Sequence, residues 1–132
     1  MPGYSVRRDD ASGPFFDGAA DGRLLVRRCP ACGRWYPPQQ VACADGTTAE
    51  WVDAAGTATL VTWGIDAAPP LDPQLGAADG SAVLALVELT EGPWMYAAIV
   101  GADPATLHEG APLTVRFVRP GEGETIPVFA PA

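Results

Sequence analysis

The sequence predicts a mainly β protein, and three observations carry that prediction. From Gly56 onward, short segments rich in Val, Thr, Leu and aromatic residues alternate between apolar and polar positions. Turn residues separate them, with 15 Gly and 14 Pro in 132 residues. One segment near the N-terminus carries both helix start and helix stop signals. The length allows one ordinary domain, or two very small units sharing a core. A hydrophobic content of 48% is enough to pack that core.

The elements follow in order. Residues 1–12 are polar and expected to fray. Ser12 to Gly22 reads as a short helix, with Ser12 at the N-cap, Pro14 in the first turn and Gly22 at the stop. So short a helix buries one face, so the pair Phe15-Phe16 either packs locally or offers one ring to a partner. Arg23 to Arg28 reads as a strand running into Cys29-Pro30-Ala31-Cys32-Gly33. Residues 23–50 then form a small hairpin-like unit with little apolar surface of its own.

Glu50 to Asp53 is a short strand, and Gly56 to Asp66 a longer alternating one in which Gly64 marks a bulge or sharp bend. Residues 67–80 hold three Pro and two Gly and form a long loop. Ser81 to Thr90 and Trp94 to Val100 are strands joined by the turn Glu91-Gly92-Pro93. Both are apolar on both faces, which places them centrally or under a cover. Glu88 and Glu91 flank the turn as solvated residues. Asp103 to Leu107 is a helical turn with Asp103 as its cap and Pro104 at its first position. Leu113, Val115 and Phe117 alternate with Thr114 and Arg116. Thr125 to Phe129 is a last strand, where Pro127 marks a sheet edge. About five mostly antiparallel strands with a helical turn between the later ones fit a Greek-key barrel of the OB type. The expected division is a tail and helix over 1–22, a ribbon-like unit over 23–50 and a barrel over 51–132.

Charge narrows the function. There are 16 acidic against 8 basic residues, all of the latter Arg, for a net charge of −8. That balance opposes sequence-independent binding to nucleic acid, which rests on neutralising phosphates. It equally opposes docking on anionic lipid. Without Lys the chain has no Schiff-base nucleophile and no phosphate-loop lysine. No stretch resembles a signal peptide, and none approaches the ~18 apolar residues of a membrane span. The expected location is the cytoplasm, away from membranes. The GxSxG, HExxH, GxGxxG and P-loop patterns are missing. The single His, His108, sits in a turn and reads as a solvated residue, not a catalyst.

Three Cys cannot complete an intramolecular disulfide framework. CPAC at 29–32 is a CxxC knuckle, whose tight turn lets two thiolates converge on one metal ion. A redox dithiol needs the first Cys at a helix N-terminus, whereas this one ends a strand and precedes Trp35-Tyr36-Pro37-Pro38. Cys43 supplies the first half of a second knuckle. Its other half falls at Gly46.

Taken together, the chain resembles a known family. The segments are FFDGAADGRLLVRRCPACGRWYPPQQVAC at 15–43, EWVDAAGTATLVTWGI at 50–65, ALVELTEGPWMYAAIVGADPATLHEGAPLTVRF at 85–117 and IPVFAPA at 126–132. They resemble the zinc-ribbon plus OB-fold proteins associated with acyl-CoA enzymes, long called domain of unknown function thirty-five. The resemblance implies a rubredoxin-like zinc ribbon, degenerate here, ahead of a five-stranded OB barrel. It also implies a non-catalytic accessory subunit. Such a subunit binds a thiolase-fold partner (an acyl-CoA thiolase, an acyltransferase or a steroid side-chain aldolase) and helps enclose its acyl-CoA. Some relatives are joined to a hot-dog-fold hydratase, a second partner class.

The same resemblance makes Cys29, Cys32 and Cys43 metal ligands and position 46 the missing fourth. Three states stay open: zinc completed by water, Asp45 or a distant group; an empty site held by Trp35, Tyr36 and Trp51; or two oxidised thiols. Candidate partner or coenzyme A contacts are Phe15, Phe16, Arg27, Arg28, Arg34, Trp35, Tyr36, Pro37, Pro38 and Trp63. The three Arg offer an anion site or ion pairs to a partner, against the simpler reading of a solvated basic face. The alternative function is an OB-fold binder of single-stranded nucleic acid, with Trp63, Trp94 and Tyr96 as stacking platforms. A small self-sufficient hydrolase or transferase is a third reading, opposed by the lack of a nucleophile–base pair.

Overall fold

Helix α1, Gly13–Ala20, forms where the sequence places it and stops for the reason expected. Gly22 takes φ +75°, a left-handed conformation that costs Gly little. Its amide donates to the Ala19 carbonyl at 3.0 Å, and the Arg23 amide donates to the Gly18 carbonyl at 2.8 Å. These two bonds satisfy carbonyls the helix end would otherwise leave bare. Ser12 departs from expectation. It precedes the helix but makes no side-chain cap bond; its hydroxyl instead donates to the Asp9 carboxylate at 2.6 Å. This computed structural model describes residues 8, 9, 11–66, 69, 70 and 72–132. Of the segment 1–12 expected to fray, residues 1–7 and 10 lie outside the described residues, as do 67, 68 and 71 of the loop, whereas Arg8 is held by Glu124 and Ser12 by Asp9.

Phe16, Gly18 and Ala19 form the buried face of α1. A Cβ on Gly18 would stand 2.7 Å from Leu25 Cγ, so only Gly lets the helix settle this closely on the next strand. That strand, β1 (Leu25–Arg28), is the middle of a three-stranded antiparallel sheet with β2 (Trp35–Tyr36) and β3 (Glu50–Asp53). The unit is thus more than the hairpin expected. β3 pairs with β1 from Leu25 opposite Asp53 to Arg28 opposite Glu50.

The second sheet holds β4 (Thr57–Asp66), β5 (Ala82–Leu89), β6 (Trp94–Ala98), β7 (Pro112–Val118) and β8 (Ile126–Pro131). Their order is β6-β5-β4-β7-β8, and every strand pair is antiparallel. The sheet curls until its edges meet at one parallel bridge, Ile99 to Phe129. The Val100 amide seals that meeting on the Phe129 carbonyl at 2.9 Å. This is the Greek-key OB arrangement. The bulge lies at Val61, where the register shifts between Leu60 and Thr62; pairing runs unbroken through Gly64. Pro127 sits on β8, an edge strand, as a residue without an amide donor requires.

One core serves both sheets. Val83, Ala85, Val87 and Leu89 face it from alternate positions of β5, around Phe129, Leu60, Ile99 and Leu113. Leu24 and Val26 enter the same cluster from the ribbon side. The loop before β5 is pinned rather than loose in its described part. Asp72 caps the 3-10 turn Pro73–Leu75 by accepting from the Gln74 amide at 2.9 Å. Its other oxygen accepts from the Gly121 amide at 2.9 Å. Asp103 caps Pro104–Thr106 as expected. Glu88 is exposed and accepts from Trp94 Nε1 at 3.1 Å. Glu91 differs from its solvated expectation. It is partly buried and accepts the Ala55 amide at 2.8 Å, tying the β5–β6 turn to the β3–β4 link.

Candidate metal centre and ligand groove

The first knuckle hangs from the end of β1. The Cys29 amide donates to the Arg34 carbonyl at 2.9 Å, and the Gly33 amide to the Cys29 carbonyl at 2.8 Å, with Gly33 at φ +79°. The facing limb is built by Cys43, whose amide donates to the Thr47 carbonyl at 2.8 Å. Gly46 closes this turn on the Cys43 carbonyl at 2.9 Å with φ +86°. Position 46 therefore serves the turn itself. A Cβ there would meet nothing within 4 Å, but the left-handed backbone disfavours one. A carboxylate within reach of the three thiols is supplied by Asp45. Its carboxylate accepts the Thr47 amide at 2.8 Å.

Ligand atoms of Cys29, Cys32, Cys43 and Asp45 all lie within 4.8 Å of one another. Tetrahedral zinc with sulfur at about 2.3 Å spaces its donors roughly 3.8 Å apart, so the set fits that ion. The Cys32 and Cys43 sulfurs are 3.5 Å apart and all three thiols are free. The electrostatics of the cluster are uneven. The Asp45 amide and then the Tyr36 hydroxyl, 3.1 Å from the sulfur, lower the pKa of Cys43. At Cys32 the Arg34 amide pulls downward, yet the Cys29 and Cys43 sulfurs outweigh it and the net shift is upward. The Thr47 amide lowers Asp45. Crowded thiols resist ionising together unless a cation joins them, which is what a metal supplies.

Arg27 parts from the other two Arg. Neighbours on a strand point to opposite faces, so Arg27 is buried while Arg28 is exposed, over the Trp35 ring at 5.3 Å. Arg28 also donates to the Gly33 carbonyl at 3.1 Å. Arg34 is exposed, and the Tyr36 hydroxyl pushes it further into its charged range. Trp35, Tyr36, Pro37 and Pro38 are half-buried. Trp35 and Trp63 pack against the main core. Phe16 is buried, and Phe15 stacks edge-on to it at 5.3 Å while leaning toward Trp51 at 6.3 Å. His108 is exposed, with Nδ1 3.4 Å from the Thr106 carbonyl oxygen.

Two surfaces emerge that residue-by-residue reading did not assemble. One is the outer face of β4, β5 and β6, where Ile65, Leu84, Trp94 and Tyr96 are 54, 60, 50 and 70% exposed. The other is a groove of about 530 Å³ between α1, the ribbon and β6, walled by Phe15, Arg27, Val41, Trp51, Met95 and Tyr96. Alternation in the sequence hinted at the first, since both hairpin strands are apolar on both faces. No local signal marks the second. No helix among the described residues is long and apolar enough to cross a membrane.

A cysteine ribbon leading into an OB sheet, with one core between them, defines a class of small two-part β proteins. The chain belongs to the ChsH2 family: it matches that family's rubredoxin-like zinc ribbon domain over residues 16–46 and its C-terminal OB-fold domain over residues 51–118. It is similar to a chain of the solved Ltp2-ChsH2(DUF35) aldolase at 31% identity and TM-score 0.76, over 97% of this chain and 98% of that one. It is also 32% identical to a probable enoyl-CoA hydratase alpha subunit of Thermomonospora curvata, over 99% of this chain. The chain spans 40% of the length of that relative. A DUF35-family protein from Sulfolobus solfataricus shares the fold, at 17% identity and TM-score 0.57, over 80% of this chain and 77% of that one.

Proposed function

We propose that this chain is a non-catalytic accessory subunit that docks on a thiolase-fold enzyme acting on an acyl-CoA and helps enclose the substrate. The observation that carries the reading is the uncovered apolar face of β4–β6. Large apolar side chains exposed together mark interaction surfaces, and aromatic residues dominate such contacts. The likeness to a chain of the Ltp2-ChsH2 aldolase supports a partner of that kind. The likeness to a hydratase alpha subunit makes a hot-dog-fold hydratase the second candidate partner. The place of action proposed is the cytoplasm.

Zinc, held by Cys29, Cys32, Cys43 and Asp45, would have a structural role. It would tie the two limbs of the ribbon together.

Co-expression with the product of a neighbouring gene, chosen for a thiolase-like sequence, followed by size-exclusion chromatography, tests the reading. A stable hetero-oligomer is expected, and Leu84→Asp on the exposed face should abolish it while leaving the isolated chain folded. A wild-type chain that elutes alone beside its neighbour would overturn the proposal.

A further inference from the structure

Arg27 is a buried cation that pairs with no anion among the described residues. It is only 7% exposed. Nε donates to the Pro38 carbonyl at 3.2 Å and Nη1 to the Ala49 carbonyl at 3.3 Å. The guanidinium lies over the Trp51 ring, 3.7 Å from its centroid. None of these partners carries negative charge. The ion pairs among the described residues belong to Arg8 and Arg23. Burial lowers the Arg27 pKa, with no carboxylate raising it. Buried charges are ordinarily paired, and Arg27 retains N–H donors on Nη2 beyond the two bonds it makes.

The residue also lines the groove between α1, the ribbon and β6. Its volume of about 530 Å³ falls within the usual span of small-ligand sites, and junctions between units are where such sites occur. The walls are mostly apolar and aromatic: Phe15, Val41, Trp51, Met95 and Tyr96. Asp9 stands at the rim with its carboxylate held below the usual range by the Ser12 hydroxyl and amide.

We propose that this groove binds an amphipathic monocarboxylate, its head group accepting from the Arg27 guanidinium and its apolar body lying along Trp51, Phe15 and Met95. One cation matches one negative charge. The planar fork of an Arg suits a carboxylate. A doubly charged phosphate would meet the same single cation with Asp9 opposing it. The site does not rest on the accessory-subunit reading, since its described walls all belong to this chain.

Decanoate, below its micelle concentration, is the probe, with decanol and inorganic phosphate as controls. Calorimetry on the full chain should show saturable decanoate binding, with decanol at least tenfold weaker and phosphate unable to compete. The Arg27 Nε–H resonance should move on titration with decanoate and not with decanol. Arg27→Gln should erase the preference for decanoate. Because that change removes buried hydrogen bonds, Val41→Asp is the companion variant. Val41 is 55% exposed, and an acid there should weaken decanoate at least tenfold without moving the melting temperature. No binding to the wild type, equal binding of decanol, competition by phosphate, or a silent Arg27 resonance would each overturn the proposal.

Discussion

Asp45 lies within reach of the three thiols where CxxC spacing assigns a ligand to position 46, and its role is testable by one substitution. Purified chain should carry one zinc per molecule, measured by elemental analysis. Asp45→Ala should weaken retention against a competing chelator by about tenfold or more, since even residues behind metal ligands cost that much. Zinc retained equally by wild type and variant would show that Asp45 is not a ligand. Three glycines make a second residue-scale prediction. At Gly18 and Gly56 an added Cβ would stand 2.7 Å from Leu25 and Val115, respectively, and Gly56 also has φ +85°. Gly18→Ala should cost about 1–3 kcal/mol through overpacking, and Gly56→Ala more, because strain adds to crowding. Gly64 has open space, so Gly64→Ala should be neutral or stabilising by roughly 0.5–1 kcal/mol. Urea denaturation of the three variants checks the order.

At the scale of elements, carboxylates hold the connections. Asp72 joins the turn before β5 to the β7–β8 link through the Gln74 and Gly121 amides, which lower its pKa below the ordinary value of 3.8. Arg23 lowers Asp53, and Arg8 lowers Glu124. A group whose folded pKa is depressed adds stability that is present above its unfolded pKa. That stability is lost as pH falls through the folded value. The urea midpoint should therefore be flat from neutral pH to about pH 5 and fall below about pH 4. Asp72→Asn should lower the midpoint at neutral pH and make the acid decline shallower. A variant whose decline matches the wild type's would remove Asp72 from this role.

At the scale of the whole molecule, charge and the shared core decide behaviour. A net charge of −8 repels a polyphosphate backbone, so aromatic residues on the barrel are a poor stacking platform. Tryptophan fluorescence should not change on titration with a single-stranded DNA oligonucleotide, even at low salt. A saturable change would revive the nucleic-acid reading. Leu24 and Val26 of the ribbon side are buried with Leu60, Val87 and Phe129 of the barrel. Thermal unfolding should accordingly be a single transition. Two resolved transitions in calorimetry would contradict one core.

Much of the fold was legible because it rests on local physics. Alternation marked the barrel strands, Asp103 and Pro104 marked their turn, and Gly22 marked the helix stop. The CxxC spacing marked the first knuckle, and composition set the charge. What stayed hidden depends on which segments meet. Strand pairing places β3 beside β1, and a register shift sets the bulge at Val61 instead of Gly64. Asp45 lies near the thiols in a turn that Gly46 closes. Arg27 and Arg28 are neighbours in sequence, yet the pleat and the closing of α1, ribbon and β6 bury one and expose the other. The sequence by itself determined the elements and the charge, since backbone propensity and side-chain period act over a few residues. The metal corner, the groove and the buried cation were decided by tertiary structure, because burial and convergence depend on residues far apart along the chain.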